Sequence, residues 1–402
     1  MPRRRPRVLI AGGGIGGLVA ALALIRRGVP VEVHEQAPAL REVGAGVQIS
    51  PNGVRVLQAL GVAEAVAAVS SETRGKEIRL WNTGQAWSPF DVLADSVGTY
   101  GFPYFTVYRP DLLGVLEAAV RAADPDALRL GHKAEGFEAP LPGGGDVRLR
   151  FADGSAAEGD VLVGADGIHS VVRRQLWGEA GARFTGMMAW RGVIPMERLP
   201  AHMNRPVGTN WIGPGHHVVH YPLRGGALMN FVGVVEGVDW QVESWTAQGT
   251  HAELHRDFAG WHDDVHAMIA AIGTPFRWAF LARDPLPVWG QGPVTLLGDA
   301  CHPTLPFMAQ GAVQAIEDGF ILARALSEID GVEPALRRYE DARRDRTARM
   351  VRASNDNTRR FHNPELAHAE GAAAYVAREF EERKVRERYD WLYTYDAETV
   401  PV

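Results

Sequence analysis

Residues 8–25, VLIAGGGIGGLVAALALI, carry no charge, and five glycines fall within positions 12–17. With Arg3, Arg4 and Arg5 ahead of it, this run has the length of a membrane-spanning or signal segment. Its glycines argue otherwise, because each costs a continuous helix roughly 1 kcal/mol relative to alanine. They fit a different local structure. Arg7–Ala11 is a short β-branched, apolar run, Gly12-x-Gly14-x-x-Gly17 follows it, and Leu18–Arg27 has helical composition. A second short strand is predicted at Val29–Glu35. Strand, glycine turn, helix and strand in that order form the dinucleotide fingerprint. Gly12 allows the turn, Gly14 and the Ile15 position let backbone approach a pyrophosphate, and Gly17 lets helix and strand close up. The helix N-terminus offers free N–H groups to phosphate. Glu35 ends the second strand and can accept hydrogen bonds from a ribose diol. This segment alone fits NAD or FAD.

Two later segments separate those cofactors. In DVLVGADGIHSVVRR (160–174) a buried strand, Val161–Val163, runs into Gly164-Ala165-Asp166-Gly167. In VTLLGDACHPTLPFMAQG (294–311) a strand, Val294–Leu297, runs into Gly298-Asp299, a proline-containing loop, and a helix predicted over Ala312–Leu326. Carboxylates just beyond strand C-termini sit where open α/β sheets bind ligands. Asp299 can bond a polyol, which FAD has in its ribitol and NAD lacks. Gly311 and Ala312 at a helix start can place N–H groups against a flavin's pyrimidine edge.

GGGIGG, Glu35, Gly44-Ala45-Gly46 in GAGVQISPN, Arg109 in YRPDLL, GADG at 164–167 and GDACHP at 298–303 together resemble the single-component FAD-dependent aromatic hydroxylases. Within that family the chain is most similar to the salicylate hydroxylase and 3-hydroxybenzoate 6-hydroxylase group, from about residue 7 to the YDWLYTYD stretch at 389–396. The resemblance implies that Glu35 binds the adenosine ribose, Arg109 the pyrophosphate region and Asp299 the ribitol. It implies that Asp166-Gly167 serves both FAD and a transient NADH or NADPH, which matches the single dinucleotide fingerprint. It also implies oxygen chemistry: reduced flavin and O2 give a C4a-hydroperoxide that hydroxylates an electron-rich ring. Gln48 is expected at the flavin ring edge. Pro306 stands where the resembling 3-hydroxybenzoate enzyme carries a polar residue.

The middle of the chain differs in composition. Eight of eleven tryptophans lie at 177–289. Strand-like runs at Met187–Pro195, His216–Tyr221 and Leu228–Val235, with one helical segment at His251–Ile272, predict an antiparallel sheet inserted between the flavin-binding segments. The expected fold is α/β: a Rossmann-like FAD-binding domain with an inserted antiparallel-sheet substrate domain and C-terminal helices. The expected division is 1–72, 100–178 and 276–402 for the flavin domain, and 73–99 and 179–275 for the substrate domain.

Hydroxylation needs a dry pocket and a group that takes the proton of a ring hydroxyl. HHVVHYPLRGG supplies candidates. On a strand, His217 and Tyr221 share one face and His220 points away, so His217 and Tyr221 are the expected catalytic pair. By the resemblance, Tyr104 joins them at the substrate hydroxyl. A substrate carboxylate would call for a cation, and Arg191 and Arg224 are both candidates.

With 42 basic against 48 acidic side chains, the net charge of −6 gives no reason to expect nucleic acid or an anionic membrane as partner. The single cysteine, Cys301, excludes an intrachain disulfide and fits a cytoplasmic protein. His251-x3-His255 and His262-x3-His266 have metal-binding spacing but read as a solvated helix face, and no metal is expected. Nine arginines interspersed with four acids over 335–360 read as a salt-bridged helix. The glycines at 143–145 read as a hairpin tip. The expected activity is FAD-dependent hydroxylation of an aromatic acid or phenol with NAD(P)H and O2, in a monomer or homodimer. Salicylate is the first substrate, with 3-hydroxybenzoate or a hydroxynicotinate as alternatives and an NAD-dependent dehydrogenase as the remoter one.

Overall fold

A computed structural model describes residues 4–40, 45–88, 96–139, 146–179, 181–240 and 247–402. Gly44, Trp245 and the expected hairpin tip at 143–145 lie outside these residues.

The apolar run at the N-terminus becomes the centre of the molecule. Val8–Ala11 is fully buried and forms the middle of a five-stranded, all-parallel sheet. On one side it pairs with Val31–Glu35, which pairs with Leu128–Leu130. On the other it pairs with Val161–Gly164, which pairs with Val294–Leu296. Strands of this kind, covered on both faces, are read as continuous apolar runs, and each large aliphatic side chain buried here contributes about 1.5–3 kcal/mol. The helix Ile15–Arg26 is buried along its first ten residues, as expected of a helix apolar all round. Among the described residues no helix is long and apolar enough to cross a membrane.

The chain reverses its direction of travel across the sheet at Val8–Ala11, a topological switch point. The register puts Ala11, Gly164 and Leu296 in line, so their following turns emerge side by side. Gly12 N–H donates to His34 O at 2.8 Å, Ala165 N–H to Ala11 O at 2.8 Å, and Leu297 N–H to Gly164 O at 3.0 Å.

The second large sheet has seven strands, in the order Phe276–Ala282, Arg183–Pro195, Leu228–Glu236, His216–Leu223, Gly208–Gly213, Lys76–Leu80 and Ala86–Trp87. It is mixed rather than purely antiparallel, because Gly208–Gly213 pairs in parallel with Lys76–Leu80. Its alternation gives it two faces. Trp190, Trp211, Met229 and Phe231 turn to one face, against Leu254, Phe258, Val265 and Met268. Ala189, Val234 and Phe280 turn to the other, against Leu305 and Phe307. The helical segment expected at His251–Ile272 is two helices, His251–Asp257 and Asp263–Ala271. Gly260 in the break has φ +79°, which no helix continues through, and the His262 ring caps the second helix at Asp264 N–H. Trp190, Trp211, Trp240 and Trp261 therefore build the side of the sheet facing away from the expected site. Phe276–Ala282 hydrogen-bonds to Arg183–Pro195 as the edge strand of this sheet.

The long helix Val332–Phe361 spans both regions. It carries the surface pairs expected from its sequence, such as Arg344–Glu340. It also carries a fully buried cation, Arg343, which the interspersed pattern conceals.

Candidate active site

The three turns expected at the cofactor meet through backbone. Gly12 has φ +110°, and a Cβ there would lie 2.4 Å from Ala165 O. A Cβ on Gly17 would lie 2.1 Å from Gly12 O, so strand, turn and helix close only around glycine. A Cβ on Gly14 would meet nothing within 4 Å: this glycine faces open space at the start of the helix. A tight turn, a bare backbone position and free N–H groups at Ile15 form a cradle that fits a pyrophosphate. The Glu35 carboxylate reaches over the cradle, accepting from Gly13 N–H at 2.7 Å and Ala37 N–H at 2.8 Å.

Asp299 is exposed while Gly298, Ala300 and Cys301 around it are buried. Surrounding protein nevertheless raises its pKa from the usual carboxylate value, with the charges of His302 and Arg109 opposing. An exposed carboxyl set among buried neighbours is open to a ligand's hydroxyl groups. Asp166 is committed differently: its Oδ2 accepts from Val171 N–H at 2.7 Å and holds the start of the helix Val171–Trp177. Burial raises its pKa as well.

The helix Gly311–Glu328 starts one residue before its expected position, at Gly311, so the N–H groups of Gly311 and Ala312 lie in its unsatisfied first turn. Its entry is fixed from below. Buried Gln310 donates to Ser50 Oγ at 2.8 Å, and Asn52 donates to Glu317 Oε1 at 2.6 Å. Arg343 bridges Glu317 at 2.6 Å and Asp318 at 2.7 Å, with all three side chains fully buried. Asp318 also accepts from Gly298 N–H at 3.1 Å and lies 2.6 Å from His302 Nε2. Burial pushes both acids upward, but the arginines and His302 outweigh it and hold both below the usual range. A buried ion network is expensive unless fully satisfied, and this one anchors the loop that bears Asp299. The sequence carried a signal for it: adjacent acids, Glu317-Asp318, inside an otherwise apolar helix.

The opposing wall comes from the seven-stranded sheet. His217 pairs with Val234 and, through it, with Ala189; Tyr221 pairs with Asn230. His217, Val219 and Tyr221 share the face toward Leu305 and Phe307, and His220 lies buried on the other face beside Met229 Sδ. The His217 ring meets the Phe307 ring edge-on at 5.4 Å. Tyr104 donates to Gln48 Oε1 at 2.8 Å, and Gln48 and Asn230 lie beside the Tyr221 phenol, where they oppose the effect of burial on it. Gly46 N–H donates to Asn230 Oδ1 at 2.8 Å, and a Cβ on Gly46 would lie 2.6 Å from the Tyr221 ring. Gln48, Tyr104 and Tyr221 are thus one cluster, and Asn230 is a member that the sequence did not single out.

Electrostatics divides the roles. Burial, with the neighbouring His362 and His216, drives the His217 pKa well below its usual value, so the ring is neutral and can accept a proton. Burial drives Tyr104 and Tyr221 upward, so both stay phenols that donate hydrogen bonds. Arg191 lies on the same face, and burial followed by Arg109 lowers it to about 10, leaving it charged at neutral pH. Arg224 is elsewhere, paired with Asp111 through two 2.7 Å hydrogen bonds at the surface and stacked on Tyr108. Cys301 is buried against Gly298 O, and burial pushes its thiol well up, so it is unreactive. His255 and His266 stack on each other, and no group of three possible metal ligands occurs among the described residues.

A protein-family model, the FAD binding domain, matches residues 5–354. The chain is 37% identical over 398 residues to a 3-amino-4-hydroxybenzoate 2-monooxygenase of Streptomyces platensis, covering 98% of each. It is 37% identical over 402 residues to a 3-hydroxybenzoate 6-hydroxylase of Polaromonas naphthalenivorans, covering 96% of this chain and 95% of that one. The chain belongs to the single-component FAD-dependent aromatic hydroxylases. It is an FAD-dependent monooxygenase. Among solved structures, Klebsiella pneumoniae HpxO complexed with FAD and uric acid superimposes with a TM-score of 0.82 at 27% identity, covering 96% of this hydroxylase and 96% of that chain.

Proposed function

We propose that this hydroxylase acts on a ring-hydroxylated aromatic carboxylic acid, with NADH or NADPH as transient reductant and O2 as co-substrate. The observation that carries this reading is a neutral buried histidine and a phenol donor, His217 and Tyr221, on one sheet face, with the phenol of Tyr104 joined to them through Gln48, set against the loop that leads to Gly311. FAD fits the parallel-sheet edge: Gly12, Gly14, Ile15 and Gly17 at the pyrophosphate, Glu35 at the ribose, Arg109 and Asp166 beside them, and Asp299 at the ribitol. Gly311 and Ala312 would meet the pyrimidine edge of the ring, and Gln48 its rim. The flavin, when bound, supplies electron transfer and oxygen activation. The chain's own side chains do the rest. His217 Nδ1 faces His362, so Nε2 is the atom offered to the substrate, and it takes the ring-hydroxyl proton to give the more nucleophilic phenolate. Tyr221 orients that oxygen by donating to it, and Tyr104, whose O–H goes to Gln48 Oε1, contacts it from the same cluster. Phe280, Leu305 and Phe307 exclude water, and Arg191 supplies the cation for the carboxylate.

The division into a flavin domain and a substrate domain follows the two large sheets. The test is a panel of aromatic acids, including salicylate, 3-hydroxybenzoate and 3-amino-4-hydroxybenzoate, added to the purified yellow protein. Expected is an acid that stimulates NAD(P)H oxidation and yields hydroxylated product rather than peroxide. Stimulation by neutral phenols but by no aromatic acid would remove the carboxylate from the proposal.

A further inference from the structure

The His217 ring does not end in the site. Its Nδ1 lies 2.5 Å from Nε2 of His362, and Nδ1 of His362 lies 2.6 Å from Oε1 of Glu236. The first two members are buried; the His362 side chain is only 2% exposed, while that of Glu236 is 41% exposed. The three groups come from three places: the strand His216–Leu223, the residue just after the helix Val332–Phe361, and the end of the strand Leu228–Glu236. Backbone holds them together, since Glu236 N–H donates to Gly215 O at 3.0 Å and Gly215 N–H reaches His362 O at 3.4 Å. Phe307 and Phe361 enclose the His217 ring. The path therefore runs from the dry face of the site to water through two imidazoles and one carboxylate.

We propose that His362 and Glu236 form a proton relay that carries the substrate's phenolic proton from His217 to the surface. This rests on the reading of His217 as the proton acceptor. As the substrate O–H breaks, an N–H forms at His217 Nε2, and the His217 Nδ1 proton passes to His362 Nε2. The His362 Nδ1 proton passes to the Glu236 carboxylate, which exchanges with water. No electrons move, and each imidazole ends neutral with its tautomer reversed. The relay answers a physical need, because an imidazolium held at His217 would be a buried, unpaired charge. His362 and Glu236 act through His217 and are positioning residues.

The test uses the oxygen-free holoenzyme and whichever of salicylate, 3-hydroxybenzoate and 3-amino-4-hydroxybenzoate perturbs the flavin spectrum. Stopped-flow absorbance follows phenolate formation after mixing. In His362→Gln the expected result is normal FAD content and near-normal substrate affinity, with phenolate formation slowed at least tenfold and partly restored by added imidazole. In Glu236→Gln a slowing of about threefold is expected, rescued by Glu236→Asp. Unslowed phenolate formation in both variants overturns the relay, as does a slowing that tracks loss of FAD or of thermal stability and ignores imidazole. If His362→Gln does not fold, the exposed Glu236→Gln decides alone. His217→Ala separates the two claims: if it still forms phenolate at the normal rate, the reading of His217 fails, whatever the relay variants do.

Discussion

The two halves of the site are built from different materials. The proposed cofactor edge is backbone: Gly12, Gly14 and Gly17, the first turns of Ile15–Arg26 and Gly311–Glu328, and strands whose register lines up Ala11, Gly164 and Leu296. The proposed substrate wall is side chain: His217, Tyr221, Asn230, Gln48 and Tyr104, contributed by strands and loops far apart in sequence. Backbone sites are fixed by parallel pairing and admit almost no substitution. Side-chain sites are fixed by a few hydrogen bonds and can be retuned for another ring without loss of fold.

This contrast predicts a graded set of outcomes. Gly17→Val should give the largest effect, because its side chain would begin 2.1 Å from Gly12 O; purified protein should contain no FAD by absorbance. Retention of stoichiometric FAD would break the comparison. His217→Ala should lower kcat by about 10²–10⁴-fold, the usual worth of a positioned base, with FAD content near normal. Loss of FAD instead would put His217 on the cofactor side. Arg343→Met removes the buried cation that Glu317 and Asp318 share, leaving Arg346 on the first and His302 on the second, and should cost about 3–5 kcal/mol of stability in urea unfolding.

Acid should weaken the fold through buried histidines. His34 and His220 titrate near 4 when folded, chiefly because burial disfavours their charge, against the usual 6.5. Between pH 6.5 and 4 the unfolded chain takes up protons that the folded chain refuses. Stability therefore falls as pH falls through that window, by up to about 3 kcal/mol for each histidine (roughly 2.5 pH units at 1.36 kcal/mol). Tm measured from pH 7.5 to 4.5 checks this; a flat profile would contradict it. Tyr221→Phe should be mildest, lowering kcat/KM roughly three- to tenfold through a lost hydrogen bond, with flavin spectrum and stability unchanged.

The same contrast governs what could be read from the sequence. The glycine fingerprint, Glu35, Asp166 and Asp299 are legible because parallel strands ending in turns place backbone and carboxylates by local rules. Alternation along 216–221 was enough to put His217 and Tyr221 on one face and His220 on the other. It could not bring Gln48 to Tyr104 and Tyr221, Asn230 to Gly46, or His362 to His217, because those meetings depend on how separate elements dock. The break at Gly260 was hidden by apolar spacing that runs on across it. Arg343 was hidden because its neighbours on the helix are ordinary surface arginines.

The helix Val332–Phe361 has a consequence of its own for how such a protein can evolve. Arg343 grips the acids beneath the Asp299 loop, Ser354 and Asn357 hold Leu305 O and Phe307 O, and His362 closes on His217. From 343 to 362 is 19 positions, about 28 Å of helix. Inserting or deleting one residue there would move His362 by about 1.5 Å and turn it by about 100°, leaving the cofactor anchor in place. Residue identities on its outer face can drift freely, but its length is a measured gauge between two sites. Lineages of this architecture should tolerate point changes in the segment far better than changes in its count.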